Sequence, residues 1–529
     1  MRVFALSLLL LAQTSSSAET NGQPHLEKHG SATQLIVDGR PFLILGAELH
    51  NSSSSSLDYM APLWQKLKAV PLNTVLTPLS WELVEPEEGK FDFALLDGLL
   101  RQAREHNLRV VLLWLAAWKN GMSSYAPLWV KSDTRRFPRV VINGNEVEIL
   151  STFSKAIIEA DSKAFTSVMR HIKEIDSSNH TVLMIQVENE VGILGDARDH
   201  SGPANHAFES AVPPELTHHV VANRESLYPE LRELWEQNGA KTNGTWEQIF
   251  GASPRTDEIF MAWNYARYVH TVAAAGKAAY NLPMYVNTWL AAEDTTPGDY
   301  PSGGPQPRVV DIWKAAGKAL DIYTPDIYQA NFAEWCRRYH GSSNPLFIPE
   351  TNGAGTGGAN AFYAFGEHAA IGFSPFGIDS WNDAENELGK SYHVLEQLTP
   401  LLVEHQAKGD IHGFVIDKSH PSVKVVLEGF LVDVSLDEIF ASHAEKGFGV
   451  LLVSGPNEFL GAGKGFRVSF RPANEDGKAG LASVDEGHFE NGKWIRGRRL
   501  NGDETDQGKY WRFDQRQITI EKAVVYSYP

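Results

Sequence analysis

Short apolar, β-branched runs alternate with longer stretches of helical periodicity through most of the chain. The runs are 42–47, 73–78, 109–115, 181–187, 283–288, 320–324, 345–349 and 375–379. Between them, 57–69, 94–106, 155–175, 257–280 and 392–407 read as helices. In 94–106, Leu95, Leu96, Leu99 and Leu100 share one face, and Asp97, Arg101, Arg104 and Glu105 take the other. Repeated β-α units imply a parallel sheet, and eight runs are what a closed (β/α)8 TIM barrel needs. The expected barrel covers 30–408. It carries an insertion at about 193–254, rich in Pro, Asn and His, which either walls the barrel mouth or lies on the surface.

After residue 408 the texture changes to short alternating runs broken by Gly, Asn and Asp: 411–416, 423–434, 449–453, 466–470, 489–496 and 517–528. Glu490-Asn491-Gly492-Lys493 predicts a tight hairpin. The fold class is therefore α/β, a barrel followed over 409–529 by an all-β, sandwich-like domain. That second domain either binds carbohydrate or buttresses the barrel, and no row of aromatic residues marks a binding face.

With 529 residues, 43% of them hydrophobic and 21% charged, the chain can bury two cores. A formal charge of −18 argues against nucleic acid or an anionic membrane as partner. At the N-terminus, Arg2, the apolar stretch 3–12 and Ser16-Ser17-Ala18 read as a signal peptide over 1–18. The stretch is too short for a permanent anchor, so an exported mature chain without a membrane anchor is expected. Cys336 stands alone, and export without disulfides fits a bacterial periplasmic or secreted protein. In that setting Asn51-Ser52-Ser53, Asn179-His180-Thr181 and Asn243-Gly244-Thr245 match the glycosylation pattern by chance. His218-His219 lack metal-ligand spacing, and the Gly353–Gly358 stretch lacks the lysine of a phosphate loop. Neither a metal nor a cofactor is expected, and nothing in the sequence sets the oligomeric state.

Candidate chemistry sits where two of the runs end. The fourth delivers Glu188-Asn189-Glu190, and the seventh ends in Glu350 before Thr351-Asn352-Gly353. The Glu-x-Glu alone reads first as an exposed acidic turn after a buried strand, and the second carboxylate, presented the same way, shifts that reading. Together, on strand ends of a barrel, they suit glycosidic bond cleavage, one carboxyl protonating the leaving oxygen and the other attacking the anomeric carbon or activating water. Their surroundings would keep one protonated and the other ionised.

Gln186-Val187-Glu188-Asn189-Glu190 followed by Gly192 resembles glycoside hydrolase family 35, the β-galactosidases, within the clan of retaining barrel glycosidases. The resemblance covers roughly residues 34–405. It implies Glu190 as acid/base, Glu350 as nucleophile, Asn189 as donor to the sugar 2-hydroxyl and Tyr328 as hydrogen-bond partner of Glu350. Tyr323 competes for that last place, with a core role as its other reading. Asn287 and Trp289 close the fifth strand beside the sugar, and Trp381 is the stacking platform. Glu48 and His50, in Gly46-Ala47-Glu48-Leu49-His50, either meet a substrate hydroxyl or hold the barrel floor. The stretch from Trp81 through Glu85-Pro86 to Phe93 and the Pro127-Leu128-Trp129 segment also resemble the family, with Glu85 read as a loop support. Two departures bear on sugar choice: Pro78 stands where the family has Tyr, and Lys119-Asn120 where many members have Glu. Val191 replaces the usual aromatic residue. The implied activity is retaining exo-β-galactosidase, acting on β-galactoside oligosaccharides of plant cell-wall type. Another β-glycosidase, such as a β-glucosidase or β-mannanase, and an inactive carbohydrate-binding barrel are the alternatives.

Overall fold

Eight parallel strands close on themselves in the computed structural model, which describes residues 22–341, 344–380, 386–438, 444–473 and 477–529. They are β1 (Ile44–Glu48), β2 (Thr74–Ser80), β3 (Arg109–Lys119), β4 (Val182–Asn189), β5 (Met284–Trp289), β6 (Ile322–Ile327), β7 (Phe347–Thr351) and β8 (Gly372–Pro375). Each pairs in parallel with the next, and β8 returns to β1 through Gly372 opposite Ile44. Residues 1–18, expected to be a signal peptide, and Trp381 lie outside the described residues.

These strands are apolar on both faces because both are covered. Ile44, Leu76, Val111, Leu113, Met184, Tyr285, Ile322 and Phe347 share one buried cluster inside the barrel. Leu35 and Val37 join it from a three-stranded antiparallel sheet, His25–His29, Ala32–Val37 and Arg40–Phe42, that precedes β1. Leu45, Val75, Leu112, Ile185, Val286, Ile348 and Phe373 point the other way, into the layer shared with the helices.

One strand falls elsewhere than its sequence run: β8 is Gly372–Pro375, not 375–379. Pro375 ends it, Gly377 turns at φ +73°, and Ile378–Ser380 coil into a 3-10 turn. The insertion after β4 forms helices Gly202–Glu209, Pro214–Ala222, Pro229–Gln237 and Trp246–Phe250. Phe208 and Trp246 pack edge-on against Phe260 of the long helix Pro254–Ala279, at 5.1 and 5.2 Å. Arg338 Nε donates to Tyr228 Oη at 2.7 Å. From Gly202 onward the insertion is thus tied to helices that flank the barrel, and it supplies none of the polar side chains gathered at the mouth.

The C-terminal region is two antiparallel sheets. One has six strands, in the order Ile411–Asp417, Lys446–Gly455, Glu458–Lys464, Thr519–Tyr528, Lys478–Glu490 and Lys493–Leu500. The other has four: Ser422–Leu427, Phe430–Leu436, Phe466–Pro472 and Trp511–Phe513. Phe414, Val432, Phe459, Phe466, Trp511 and Val525 come from both and share one core, as a sandwich requires. The expected hairpin is present, with Asn491 and Gly492 at φ +50° and +74°. The sandwich sits hard against the barrel helix Gly357–Glu367. A Cβ on Gly413 would lie 2.8 Å from Phe362 O and Glu367 N, so only glycine permits this approach. Phe362 and Phe448 pack across the same seam, ring centroids 5.4 Å apart.

Candidate active site

The ends of the strands gather carboxylates. Glu48 ends β1, Asp326 lies one residue from the end of β6, Glu350 lies near the end of β7, and Glu190 follows β4 directly. One carboxylate oxygen from each of Glu190, Asp326 and Glu350 lies within 4.8 Å of the other two. All four residues are buried. Three carboxylates this close cannot all ionise, so protons must be retained among them.

Glu190 is held by its backbone. It adopts φ +45°, a left-handed conformation unusual for a residue with a Cβ. Its N–H donates to Asn287 Oδ1 at 2.9 Å, and its carbonyl accepts from Gly121 N at 3.1 Å. Asn120 and Gly121, both at positive φ, form the turn after Lys119, and Asn120 N donates to Asn189 O at 3.2 Å. Asn287 Nδ2 donates to Asp326 Oδ2 at 2.6 Å. Both ends of the Asn287 amide are therefore occupied. It positions Glu190 and Asp326, a task beside the sugar contact expected of it, for which the amide keeps a second N–H and a second lone pair.

Burial, and then the charge of Glu350, push the Glu190 carboxyl up to about 7, while Lys119 pulls it down. Glu48 and Asp326 are raised well above the usual carboxylate range, again first by burial and then by Glu350. Tyr328 Oη donates to Glu350 Oε1 at 2.5 Å, and burial followed by Glu350 raises that phenol. A phenol fixed as a donor holds its partner as the acceptor.

The mouth also holds polar atoms without partners. Both carboxylate oxygens of Glu48, both amide atoms of Gln186 and of Asn189, the Tyr285 hydroxyl, Glu350 Oε2 and Ser374 Oγ are buried and make no hydrogen bond. Buried polar groups are normally satisfied, so a ring of open ones marks where a polar ligand belongs. Lys119 reaches the same place from the end of β3. It is buried to 9% exposure, and its charge acts on Glu48 and Glu190.

Other expected residues land around this centre. Trp289 is partly exposed at the end of β5. His50 Nδ1 lies 2.9 Å from Asp379 Oδ1, and its N–H bonds the same oxygen, so it braces the loop after β1. Tyr323 is core and contacts His270. Glu85 accepts from Trp81 Nε1 and Gly89 N, which makes it the expected loop support. Glu188 turns away from the mouth and accepts from Ala117 N and Trp118 N at 3.1 and 2.8 Å. Asp326, Gln186, Tyr285 and Ser374 were not singled out in the sequence, and Lys119 only as a departure. Asp326 carried a signal: like Glu190, it is an acidic residue closing an apolar run.

By spacing, the three close carboxylates would also admit an oxygen-liganded cation. Asn287 and Tyr328 donate to Asp326 Oδ2 and Glu350 Oε1, which leaves Asp326 Oδ1 and Glu350 Oε2 without partners.

Residues 59–270 match the beta-galactosidase family Glyco_hydro_42. The match spans β2, β3 and β4 and includes Glu190, a likeness that takes in less than half of the chain. The family model differs from the family 35 resemblance of the motifs. Residues 388–512 match a domain of unknown function, DUF5597. A Xanthomonas manihotis beta-galactosidase is 29% identical over 202 residues, 36% of this chain and 30% of that protein. The human beta-galactosidase-1-like protein 3 is 31% identical over 176 residues, 32% of this chain and 24% of that protein. The chain thus spans about a third or less of the curated relatives' length. Among solved structures, the beta-galactosidase from Rahnella sp. R3 aligns with a TM-score of 0.45 and 15% identity, over 69% of this chain and 57% of that one.

Proposed function

We propose that the protein is a retaining exo-β-galactosidase of family 35 type, exported and acting on β-galactoside oligosaccharides. The observation that carries the mechanism is the Glu190–Glu350 approach within 4.8 Å. Retaining glycosidases place their two carboxyls roughly 5–5.5 Å apart, whereas inverting ones leave roughly 6.5–9.5 Å for a water. Glu350 attacks the anomeric carbon while Glu190 gives its proton to the leaving oxygen. Glu190 then takes a proton from the water that cleaves the galactosyl-enzyme. Galactose as the sugar rests on the matched beta-galactosidase family. Hydrolysis of nitrophenyl β-galactoside in preference to the glucoside and mannoside tests it, and absence of galactoside turnover would exclude it.

Two outcomes follow from the site's geometry. Glu190 must hold its proton in the first step, so kcat/KM should fall as pH rises through about 7. Replacing Lys119 by Met removes the charge that lowers this carboxyl, and the falling limb should move to higher pH in a kcat/KM profile. Asn287→Ala frees both the Glu190 N–H and the Asp326 carboxyl. It should reduce kcat about 10²-fold, as misplacement of a catalytic group by an ångström does, with KM little changed in steady-state assays.

A further inference from the structure

We propose that the C-terminal β domain supplies one wall of a saccharide cleft continuing the active site, and that this cleft holds the part of a neutral oligosaccharide beyond the scissile bond. The inference rests on the galactosidase reading for the identity of the cleaved sugar.

A cleft of about 780 Å³ lies between the barrel rim and the sandwich. That is within the range of sites for organic ligands, roughly 300–1,000 Å³. Tyr328 and Asn352 stand on the barrel side, and Asp417, His420 and Lys446 on the sandwich side. Tyr328 is the link: it lines the cleft, is 49% exposed, and its hydroxyl lies on Glu350. A chain whose terminal sugar meets the carboxylates would therefore pass this ring on leaving the mouth.

The sandwich wall is built rather than incidental. Asp417 Oδ1 accepts from Ser419 N at 2.8 Å and His420 N at 2.9 Å, which fixes the turn. The imidazole of His420 is left 86% exposed. Lys446 is half-buried, and burial lowers its ammonium. The close Gly366–Gly413 contact sets this wall's distance from the barrel. Glu334 and Arg337 on one side, and Asp417 and Lys446 on the other, cancel in charge. A balanced lining favours an uncharged ligand over an acidic or basic one. The half-buried face of Tyr363 adds a flat surface of the kind sugars pack on.

The test compares β-1,4-galactotetraose with nitrophenyl β-galactoside on the full chain, using His420→Ala/Lys446→Ala and, separately, Ser419→Trp, which fills the cleft. Thermal melting checks that each variant is folded. The proposal expects kcat/KM for the tetrasaccharide to fall about tenfold in both variants, while the nitrophenyl substrate changes less than twofold. Equal losses on both substrates, or no loss on either, would overturn it. If the native chain hydrolyses neither substrate, the galactosidase reading has failed and binding decides the cleft. Calorimetry with galacto-, cello- and xylotetraose then supports the proposal if one binds saturably and Ser419→Trp abolishes it. Binding of none overturns it.

Discussion

Glu350→Gln should lower kcat on any β-galactoside by about 10⁴-fold or more, above the 10²–10⁴-fold typical of losing an acid/base group. The carboxylate that forms the glycosyl-enzyme bond is replaced by an amide of nearly the same shape, so folding should be intact while the covalent step has no nucleophile. Shape is the reason to choose Gln: Glu350 Oε1 accepts from Tyr328 at 2.5 Å, and an amide oxygen can keep that bond. The more telling variant is Glu350→Gly with azide. Azide entering from the vacated face should give the α-galactosyl azide at a measurable rate, with product configuration read by NMR. A Glu350 variant retaining near-native activity would assign the nucleophile elsewhere, and Asp326, within 4.8 Å, is a candidate.

Glu190→Ala should behave differently, because its cost depends on the leaving group. With lactose, whose departing alkoxide needs a proton, the rate should fall about 10²–10⁴-fold. With dinitrophenyl β-galactoside, whose phenolate leaves unaided, the first step should be nearly unaffected. The galactosyl-enzyme would then accumulate, giving a burst and a low KM, since the residue that activates water is also gone. Azide should rescue turnover as the β-galactosyl azide. The limb near pH 7 should vanish, because burial and Glu350 raise this carboxyl in particular. Equal losses on both substrates would mean that Glu190 shapes the site without transferring a proton.

The barrel and the carboxyl pair were legible because a parallel strand buried on both faces is a dense apolar run, and an acidic residue ending one stands out. That density also hid the rest of the site. Which residues of β4 or β5 face inward depends on closure of the sheet, so the runs alone do not set Gln186 or Tyr285 apart from their neighbours. The sixth run, 320–324, stops before Pro325, yet Pro325 pairs with Thr288 inside the ladder and the strand goes on through the acidic Asp326 to Ile327. Lys119 lies four residues beyond the third run, 109–115, where the sequence pattern alone predicts a loop. Strand β3 instead runs on through a register shift between Trp114 and Lys119, placing the ammonium-bearing chain under the mouth. Asn287 was singled out by position, but its task came from the left-handed turn at Glu190, which leaves no mark in the sequence. The N-terminal sheet and the strands Glu458–Lys464 and Trp511–Phe513 were missed as too polar, too glycine-rich or too short.

The close approach of Glu190 and Glu350 is tested most directly by following the first sugar released from nitrophenyl β-galactoside by proton NMR, before mutarotation. Double displacement predicts that β-galactose appears first and α-galactose only later. Initial release of α-galactose would mean a single inversion by water, which this carboxyl spacing leaves no room for.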